Sequence, residues 1–417
     1  MSKKRFVRAC VVGLVSACVL SGMSSIAAHA DTATSTITVG ESPYGVAINP
    51  AGTFGYVTNR NSGTVSKINL ATDRVVATIK VGSDPYGVVI NPAGTFAYVT
   101  DYESGTVSKI NLATDRIVGS INIGLRPEGI AIHPAGTFAY VSALKVNVNT
   151  RVAKINLATD TIVSEIFVGE SGPEAIAINP AGTFAYVINA EFNLVQKINL
   201  STERVVAEIK VGESPLGLAI NPAGIFAYVT NSSSNTVSKI NLATDRVVAT
   251  ISVGSNPGSV AVNPAGTFAY VANASPERYS PGTVSKIDLA TDKVVETISV
   301  GLANYGVAIN PTGTFAYVTD GWGGSVSKIA IQASDSPSVT LTTGKSATAI
   351  SIAKYAKISV SSTSKLSLKV GKSYVKHCRV SGMTLKGVKV GTCKVTITVT
   401  PKKGKAISRV VTLKVTK

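Results

Sequence analysis

The sequence has 417 residues and a formal net charge of +17, from 40 basic and 23 acidic residues. Only three histidines and four cysteines are present, and no motif groups them with carboxylates, which argues against a catalytic metal site. The charge is unevenly distributed: residues 31–337 carry 19 basic and 23 acidic side chains, whereas residues 338–417 carry 17 basic and no acidic ones. The basic character therefore belongs to a separate C-terminal segment, joined through the short linker 334–338.

The first 30 residues are predicted to be a signal peptide. Four basic residues precede an apolar run over residues 9–20, and Ala28-His29-Ala30 offers a small-x-small cleavage site. Cleavage there makes Asp31 the first residue of a secreted chain. A lipobox ending at Cys18 is the alternative, although the apolar run continues beyond that cysteine. No second apolar run approaches the roughly 20 residues that span a bilayer, so a transmembrane protein is not expected.

Seven copies of a stretch similar to INPAGTFAYVT organise residues 31–333. Their turn prolines are spaced by 42, 42, 46, 42, 42 and 47 residues. These prolines are Pro50, Pro92, Pro134, Pro180, Pro222, Pro264 and Pro311. A period of this size that contains only strand-like runs is typical of a β-propeller, and the lack of a 3.6-residue period excludes helical repeats.

One repeat divides into four strand-like runs, which we predict at Tyr86–Asn91, Thr95–Thr100, Thr106–Leu112 and Arg116–Ile123. Asn-Pro-Ala-Gly separates the first two runs and Ala-Thr-Asp the last two, and both have the residues that tight turns require. Four antiparallel strands make one blade, so the sequence predicts an all-β chain with a seven-bladed propeller.

The ends of the array predict how the ring closes. The seventh repeat supplies only three runs, at Tyr305–Asn310, Thr314–Thr319 and Ser325–Ile331. The missing strand lies before the first turn, where Ser35–Gly40 matches Thr250–Gly254. Pairing this N-terminal strand into the last blade would close the ring with three strands plus one and would hide an open sheet edge.

The TFAYVTN and VGSDPYGVVINPAGT segments resemble the YVTN β-propeller repeats of bacterial and archaeal surface and periplasmic proteins. The resemblance covers about Thr34–Gln332 and implies a seven-bladed propeller. One departure is the residue after the turn proline, often Asp in such repeats but Ala here, or Thr at Thr312. Related propellers serve adhesion, scaffolding, electron-transfer partners and lactone chemistry, so the resemblance implies a fold rather than one function.

Residues 339–417 are predicted to form a small basic β-domain similar to a sandwich. Its candidate strands are Ile358–Val360, Lys365–Val370, Cys393–Val399 and Val410–Val415. The Gly391–Val395 stretch, preceded by Cys378, is similar to bacterial immunoglobulin-like domains of exported proteins. Cys378 and Cys393 are the two cysteines left after signal cleavage, and an even pair in an oxidising compartment predicts a disulfide.

The excess of positive charge in this domain implies an anionic partner, because a purely structural module would mix signs. Export disfavours nucleic acid, which leaves an anionic envelope polymer, lipid head groups or the acidic face of the propeller itself. The lysines predicted to bind such a polyanion are Lys365, Lys369, Lys372, Lys376, Lys386, Lys389 and Lys394. We therefore expect a secreted protein that is retained at the cell surface or cell wall.

Two loops vary between the seven repeats, the one entering the first strand and the one between the second and third strands. Strand direction places both on one face of the ring. The position after the entry-loop proline, or its equivalent, holds Tyr44, Tyr86, Glu128, Glu174, Leu216, Gly258 and Tyr305. The residues predicted to bind a ligand on this face are Tyr44, Tyr86, Tyr305, Trp322, Tyr102, Asp84, Asp101 and Asp320. Drift of solvated loop residues after duplication is the alternative.

The sequence favours a binding or scaffold protein over an enzyme. It has no nucleophile elbow, no phosphate-cradling loop and no cofactor motif. His133 stands where six sister repeats have Asn, so we interpret it as a turn substitution rather than a base. The ligand class predicted for the variable face is a sugar, a peptide or a protein segment. The rival hypothesis is a lactonase-like hydrolase or lyase that uses carboxylates at the channel mouth.

Overall fold

A computed structural model describes residues 30–124, 126–144, 150–169, 172–275, 277 and 280–332, together with C-terminal strands between residues 338 and 416. All the helical or extended secondary structure in these ranges consists of β-strands. Residues 30–332 form one compact unit and the C-terminal strands belong to another. No helix within the described ranges is long and apolar enough to cross a membrane.

The first unit is a seven-bladed propeller, as the repeat period predicts, and each blade is a four-stranded antiparallel sheet. Blades one to three contain β2 (Pro43–Ile48), β3 (Phe54–Asn59), β4 (Thr64–Asn69), β5 (Arg74–Lys80), β6 (Pro85–Ile90), β7 (Phe96–Asp101), β8 (Thr106–Asn111), β9 (Arg116–Asn122), β10 (Arg126–Ile132), β11 (Phe138–Leu144), β12 (Arg151–Asn156) and β13 (Thr161–Phe167). Blades four to six contain β14 (Pro173–Ile178), β15 (Phe184–Asn189), β16 (Leu194–Asn199), β17 (Arg204–Lys210), β18 (Pro215–Ile220), β19 (Phe226–Asn231), β20 (Thr236–Asn241), β21 (Arg246–Ser252), β22 (Pro257–Val262), β23 (Phe268–Asn273), β24 (Thr283–Asp288) and β25 (Lys293–Ser299).

Blade seven is completed by the N-terminal strand, as predicted. Its own strands are β26 (Asn304–Ile309), β27 (Phe315–Asp320) and β28 (Ser325–Ala330), and β1 (Thr32–Thr38) pairs antiparallel with β28. The strand begins and ends earlier than the predicted Ser35–Gly40. Val39 and Gly40 instead form the crossing to blade one, where the Gly40 N–H donates to the Asn59 side chain at 3.1 Å.

The hydrophobic core lies between neighbouring blades. Each second strand carries one fully buried tyrosine of the TFAYVT pattern, such as Tyr98 in blade two. Tyr98 packs against Ile130 and Val141 of blade three, and the same packing recurs around the ring. Small residues beside this tyrosine let the blades approach closely, which explains why the pattern changes so little between repeats.

A ring of ion pairs connects each blade to the next. At six of the seven junctions the third-strand lysine reaches the acidic residue that ends the third turn of the neighbouring blade, as Lys67 does with Asp115 at 2.7 Å. At the remaining junction Lys286 reaches Asp31, which directly precedes β1. Each lysine also lies over a phenylalanine of its own blade, at 4.5 Å from the Phe54 ring in blade one. The pairs are Lys67–Asp115, Lys109–Asp160, Lys154–Glu203, Lys197–Asp245, Lys239–Asp292, Lys286–Asp31 and Lys328–Asp73. We call these pairs the lysine–carboxylate ring.

The Asn-Pro-Ala-Gly turns have the geometry that their residues predict. In blade two the Gly94 N–H donates to the Asn91 carbonyl at 2.8 Å, and Gly94 adopts a φ of +67°. The Asn91 side chain accepts the N–H of Thr95 at 2.8 Å. His133 occupies the asparagine position in blade three and accepts the Ala135 N–H through its ring at 3.1 Å, which fits a turn substitution.

The C-terminal strands form two sheets. One has the order β29 (Ser338–Thr342), β35 (Ile407–Thr416), β34 (Gly391–Thr400) and β31 (Lys365–Val370), and the other has β30 (Ser346–Thr348), β33 (Thr384–Gly387) and β32 (Cys378–Ser381). Strand β31 has the predicted bounds, and β34 and β35 contain the predicted third and fourth strands. The predicted strand Ile358–Val360 lies outside the described residues. Cys378 and Cys393 lie on strands of different sheets, and their disulfide stays a prediction.

Candidate functional site at the mouth of the central channel

The first strand of each blade lines the central channel. In five blades these strands approach one another so closely that glycine stands at the position after the variable entry residue, whereas blades four and six have Ala175 and Ser259 there. A Cβ atom on Gly45 would lie 2.5 Å from the Tyr86 carbonyl oxygen, and one on Gly306 would lie 2.3 Å from the Tyr44 carbonyl oxygen. The glycine of the P-Y-G pattern is therefore required by packing, and the residue before it faces the channel mouth.

Hydroxyl groups on the second strands fix the backbone of the first strands at the channel mouth, which we call the rim. The Thr58 hydroxyl accepts the Gly45 N–H of its own blade at 2.8 Å and donates to the Tyr86 carbonyl of the next blade at 2.8 Å. The Thr319 hydroxyl of blade seven donates in the same way to the Tyr44 carbonyl of blade one, at 2.9 Å. The rim residues therefore sit on backbone that is fixed from two sides.

The seven variable entry positions surround one cavity of about 200 Å³. They are Tyr44, Tyr86, Glu128, Glu174, Leu216, Gly258 and Tyr305. Chain topology thus brings together the set of positions that differed most between repeats. The cavity has an aromatic side on blades seven, one and two, a carboxyl side on blades three and four, and a side of small or aliphatic residues on blades five and six.

The tyrosines form a continuous aromatic cluster. The Tyr44 ring centroid lies 5.0 Å from that of Tyr305 and 4.1 Å from that of Tyr86, and Tyr86 lies 6.1 Å from Tyr102. The Tyr44 and Tyr86 hydroxyls share a hydrogen bond of 2.6 Å. Burial raises the pKa of both phenols, so both remain protonated hydrogen-bonding groups.

Arg60 holds the aromatic cluster from the loop side. Its guanidinium carbon lies 5.3 Å from the Tyr44 centroid and 5.0 Å from the Tyr86 centroid. The same group makes a bidentate ion pair with Asp84, at 2.6 and 2.8 Å. The Asp84 carboxylate therefore orients Arg60, and the charge of Arg60 is already matched.

Glu128 and Glu174 form a hydrogen-bonded carboxyl pair opposite the tyrosines. Glu128 is only 9% exposed. Burial, and next the carboxyl group of Glu174, raise the pKa of Glu128 to about 9. Burial also raises the pKa of Glu174. At neutral pH Glu128 therefore keeps its proton, because two adjacent carboxylates cannot both ionise in a buried position.

The other residues predicted for this face have different surroundings. Asp101 is fully buried, and its carboxylate accepts hydrogen bonds from Ser108 and from the Gly82 N–H. Asp320 is 5% exposed and accepts the Gly323 N–H of its own turn. Trp322 is half exposed in that turn. Tyr102 joins the aromatic cluster, whereas the two buried aspartates organise loops.

Sequence reasoning left Arg60, Glu128 and Glu174 out of the predicted ligand-binding residues. The two glutamates occupy the same variable position as the tyrosines, and this position was the signal that could have included them. Nothing in the repeat pattern points to Arg60, because its role depends on reaching Asp84 of the next blade. No group of three or more His, Cys, Asp or Glu that could hold a metal ion occurs among the described residues.

No protein-family model and no curated protein matches the sequence. Among solved structures, the propeller is similar to a chain of Kuenenia stuttgartiensis hydrazine synthase, with a TM-score of 0.63 and 22% sequence identity. The match covers 72% of this chain and 98% of that chain. At this identity the likeness concerns the fold alone, and it supports the propeller architecture.

Proposed function

We propose that this chain is an exported YVTN-type propeller that binds the hydroxyl groups of a sugar ring at its channel mouth, without catalysis. The observation that carries the proposal is the Glu128–Glu174 pair facing the Tyr44 and Tyr86 hydroxyls across the same small cavity. Aromatic walls with a few convergent polar groups are the usual composition of a small-molecule site.

The protonation state of the cavity suits a neutral polyol. A carboxyl pair in which Glu128 keeps its proton and two phenols offer both donors and acceptors, which is what sugar hydroxyls require. The Arg60 charge is matched by Asp84. A neutral ligand with many hydroxyls can be bound in this cavity without burying a new charge.

Binding of the full-length mature chain to immobilised monosaccharides and oligosaccharides tests this proposal. We expect Tyr44→Phe and Glu128→Ala each to weaken binding about tenfold, because each removes one buried hydrogen-bonding group worth roughly 1–3 kcal/mol. Glu191→Ala is the matched control, since this exposed glutamate lies on a loop of blade four and outside the cavity. Failure of the wild-type chain to bind any saccharide, or equal binding by all variants, would contradict the proposal.

A lactonase-like hydrolase or lyase is the second candidate, and the protonated Glu128 favours it, because a buried carboxylic acid can act as a general acid. Turnover of a lactone or uronide panel that Glu128→Gln abolishes would replace the binding proposal with this one.

The basic C-terminal domain, which resembles immunoglobulin-like modules, is proposed to hold the protein at an anionic cell envelope through electrostatic attraction. Strand register supports a common face. Lys369 pairs with Thr396 and Lys394 with Thr412, and residues 394 and 396 are two apart on the same strand, so the positions of Lys369 and Lys394 lie on the same face of the sheet. Lys365 and Lys369 lie on β31, Lys386 on β33 and Lys394 on β34. Lys372, Lys376 and Lys389 lie outside the described residues.

A further inference from the structure

A second set of variable positions surrounds the channel mouth outside the cavity. In blade two the first residue of the loop between the second and third strands, Tyr102, donates its main-chain N–H at 3.0 Å to the carbonyl of Asp84, which directly precedes the first strand. The same bond joins Ser42 with Arg60, Gly172 with Ala190, Ser214 with Ser232, Asn256 with Ala274, and Ala303 with Gly321. We call these six the outer pairs. In blade three Arg126 stands at the position equivalent to Asp84.

Within the described part of the chain, long or charged side chains at these positions occur in one sector only. The outer pairs of blades four to seven contain glycine, alanine, serine and asparagine. Blades one to three instead carry four larger residues, which we call the outer wall: Arg60, Asp84, Tyr102 and Arg126. The outer wall therefore borders the cavity on the side of Tyr44, Tyr86 and Glu128, and short side chains border it on the other side.

The two arginines of the outer wall differ in how their charges are matched. Arg60 makes a bidentate ion pair with Asp84, at 2.6 and 2.8 Å. Arg126 approaches Glu103 only to 3.7 Å, and these two side chains are 45% and 53% exposed. The Arg126 guanidinium carbon also lies 5.3 Å from the centroid of the Tyr102 ring. Because exposed ion pairs contribute little to stability, Arg126 can exchange Glu103 for another carboxylate.

Arg126 lies close to the cavity but outside it. It stands two residues before Glu128 on β10. An extended chain rises at most about 3.6 Å per residue, so their Cα atoms are within about 7 Å of each other. The cavity of about 200 Å³ is smaller than the roughly 300–1,000 Å³ of pockets for drug-sized ligands, so it suits a single sugar ring. A unit attached to that ring lies outside the cavity, where Tyr102 and Arg126 border it.

We propose that the ligand is an acidic oligosaccharide, whose neutral ring occupies the cavity and whose neighbouring unit places a carboxylate on Arg126. This inference rests on the sugar binding proposed above. A guanidinium presents a planar pair of N–H donors that matches the two oxygens of a carboxylate, and such charge-assisted hydrogen bonds are the strong ones. The Tyr102 ring beside the guanidinium attracts its positive charge and so helps to hold it in place. The ligand carboxylate replaces Glu103 as the partner of Arg126.

Binding of the full-length mature chain to matched pairs of disaccharides tests the proposal. The members of a pair differ only at C6 of one unit, which is a hydroxymethyl group in one member and a carboxylate in the other, and the pairs are built on glucose, galactose and mannose. We expect the acidic member of at least one pair to bind about tenfold more tightly than the neutral member at low salt. Arg126→Gln should remove this preference, measured as the ratio of the two dissociation constants.

Glu103→Gln removes the competing carboxylate, so it should increase the preference for the acidic member about threefold. Glu191→Gln is the matched control, because Glu191 occupies the same loop position in blade four, where the outer pair is Gly172 with Ala190 and offers no guanidinium. It should leave the preference at the wild-type value. Disaccharide binding without a preference for the acidic member, or a preference that survives Arg126→Gln, would overturn this inference and leave sugar binding itself intact. Absence of binding to every disaccharide would overturn both proposals.

Discussion

The Glu128–Glu174 pair shows how substitutions at one variable position of a repeat can form part of a candidate site. Both residues stand where sister blades have tyrosine, leucine or glycine, so neither is required by the fold. Adjacent blades carry them, and the close approach of the first strands brings them into hydrogen-bond contact. Sequence comparison of the repeats identified the variable position. It could not predict the contact, since the two residues are one whole repeat apart in the sequence.

The proton that Glu128 keeps predicts a stability that depends on pH. The pKa of Glu128 is raised from its ordinary value to about 9, so the folded state keeps a proton that the unfolded chain releases. Stability from this group is therefore fully present below the unfolded pKa and falls as pH rises towards 9. Glu128→Gln should leave the melting temperature unchanged at pH 5 and raise it by about 3 °C or more at pH 9.

The exposed Glu191→Gln variant provides the reference for this measurement, and it should follow the wild type at both pH values. If the wild type and Glu128→Gln lose stability equally between pH 5 and pH 9, Glu128 does not keep its proton in the folded protein.

At the scale of elements, the closing strand β1 was predictable and its ends were not. Counting the strands of the seventh repeat was enough to require a partner from the N terminus. Alignment to the pattern of Thr250–Gly254 placed it at Ser35–Gly40, whereas the strand is Thr32–Thr38. The difference arises because Gly40 must meet Asn59 at the entrance to blade one, a tertiary contact that local pattern does not contain.

Deletion of residues 31–38 should destabilise the propeller by about 3 kcal/mol or more, because it removes the buried Ile37 and exposes the whole edge of β28. A synthetic peptide of residues 31–40 should restore the melting temperature by adding back as a strand. The same peptide with Ile37→Asp should not restore the melting temperature. An unchanged melting temperature after the deletion would show that β1 does not complete blade seven.

At the scale of the whole molecule, the charge is divided unevenly between the two parts of the chain. Residues 338–417 carry 17 basic and no acidic residues. The count alone predicts an anionic partner but does not identify it. The fold of the propeller followed from its period, while the ligand depends on side-chain contacts that only the structure supplies.

Electrostatic retention predicts release by salt. Washing whole cells with 1 M salt should release the protein, because the screening length falls from about 10 Å at 0.1 M to about 3 Å at 1 M. A chain ending at Ser336 should appear in the medium without any wash, and Gln substitutions at Lys365, Lys369 and Lys394 should lower the salt needed for release. Retention of the truncated chain on cells would contradict this prediction and would show that the propeller, rather than the basic domain, holds the protein there.

The pairing of β1 with β28 has a consequence for the order of events during synthesis. The Thr34 hydroxyl donates to the Lys328 carbonyl, 294 residues further along the chain, so the first strand of the propeller is synthesised long before its partner β28, the last strand of the propeller. Throughout that interval six blades can form while β1 remains solvated and without its partner strand. Its sequence suits this wait: TATSTIT contains one isoleucine and four threonines and exposes most of its residues even when folded. A more apolar strand would be prone to pair with other chains before blade seven formed, so we expect the weak hydrophobicity of β1 to limit such pairing.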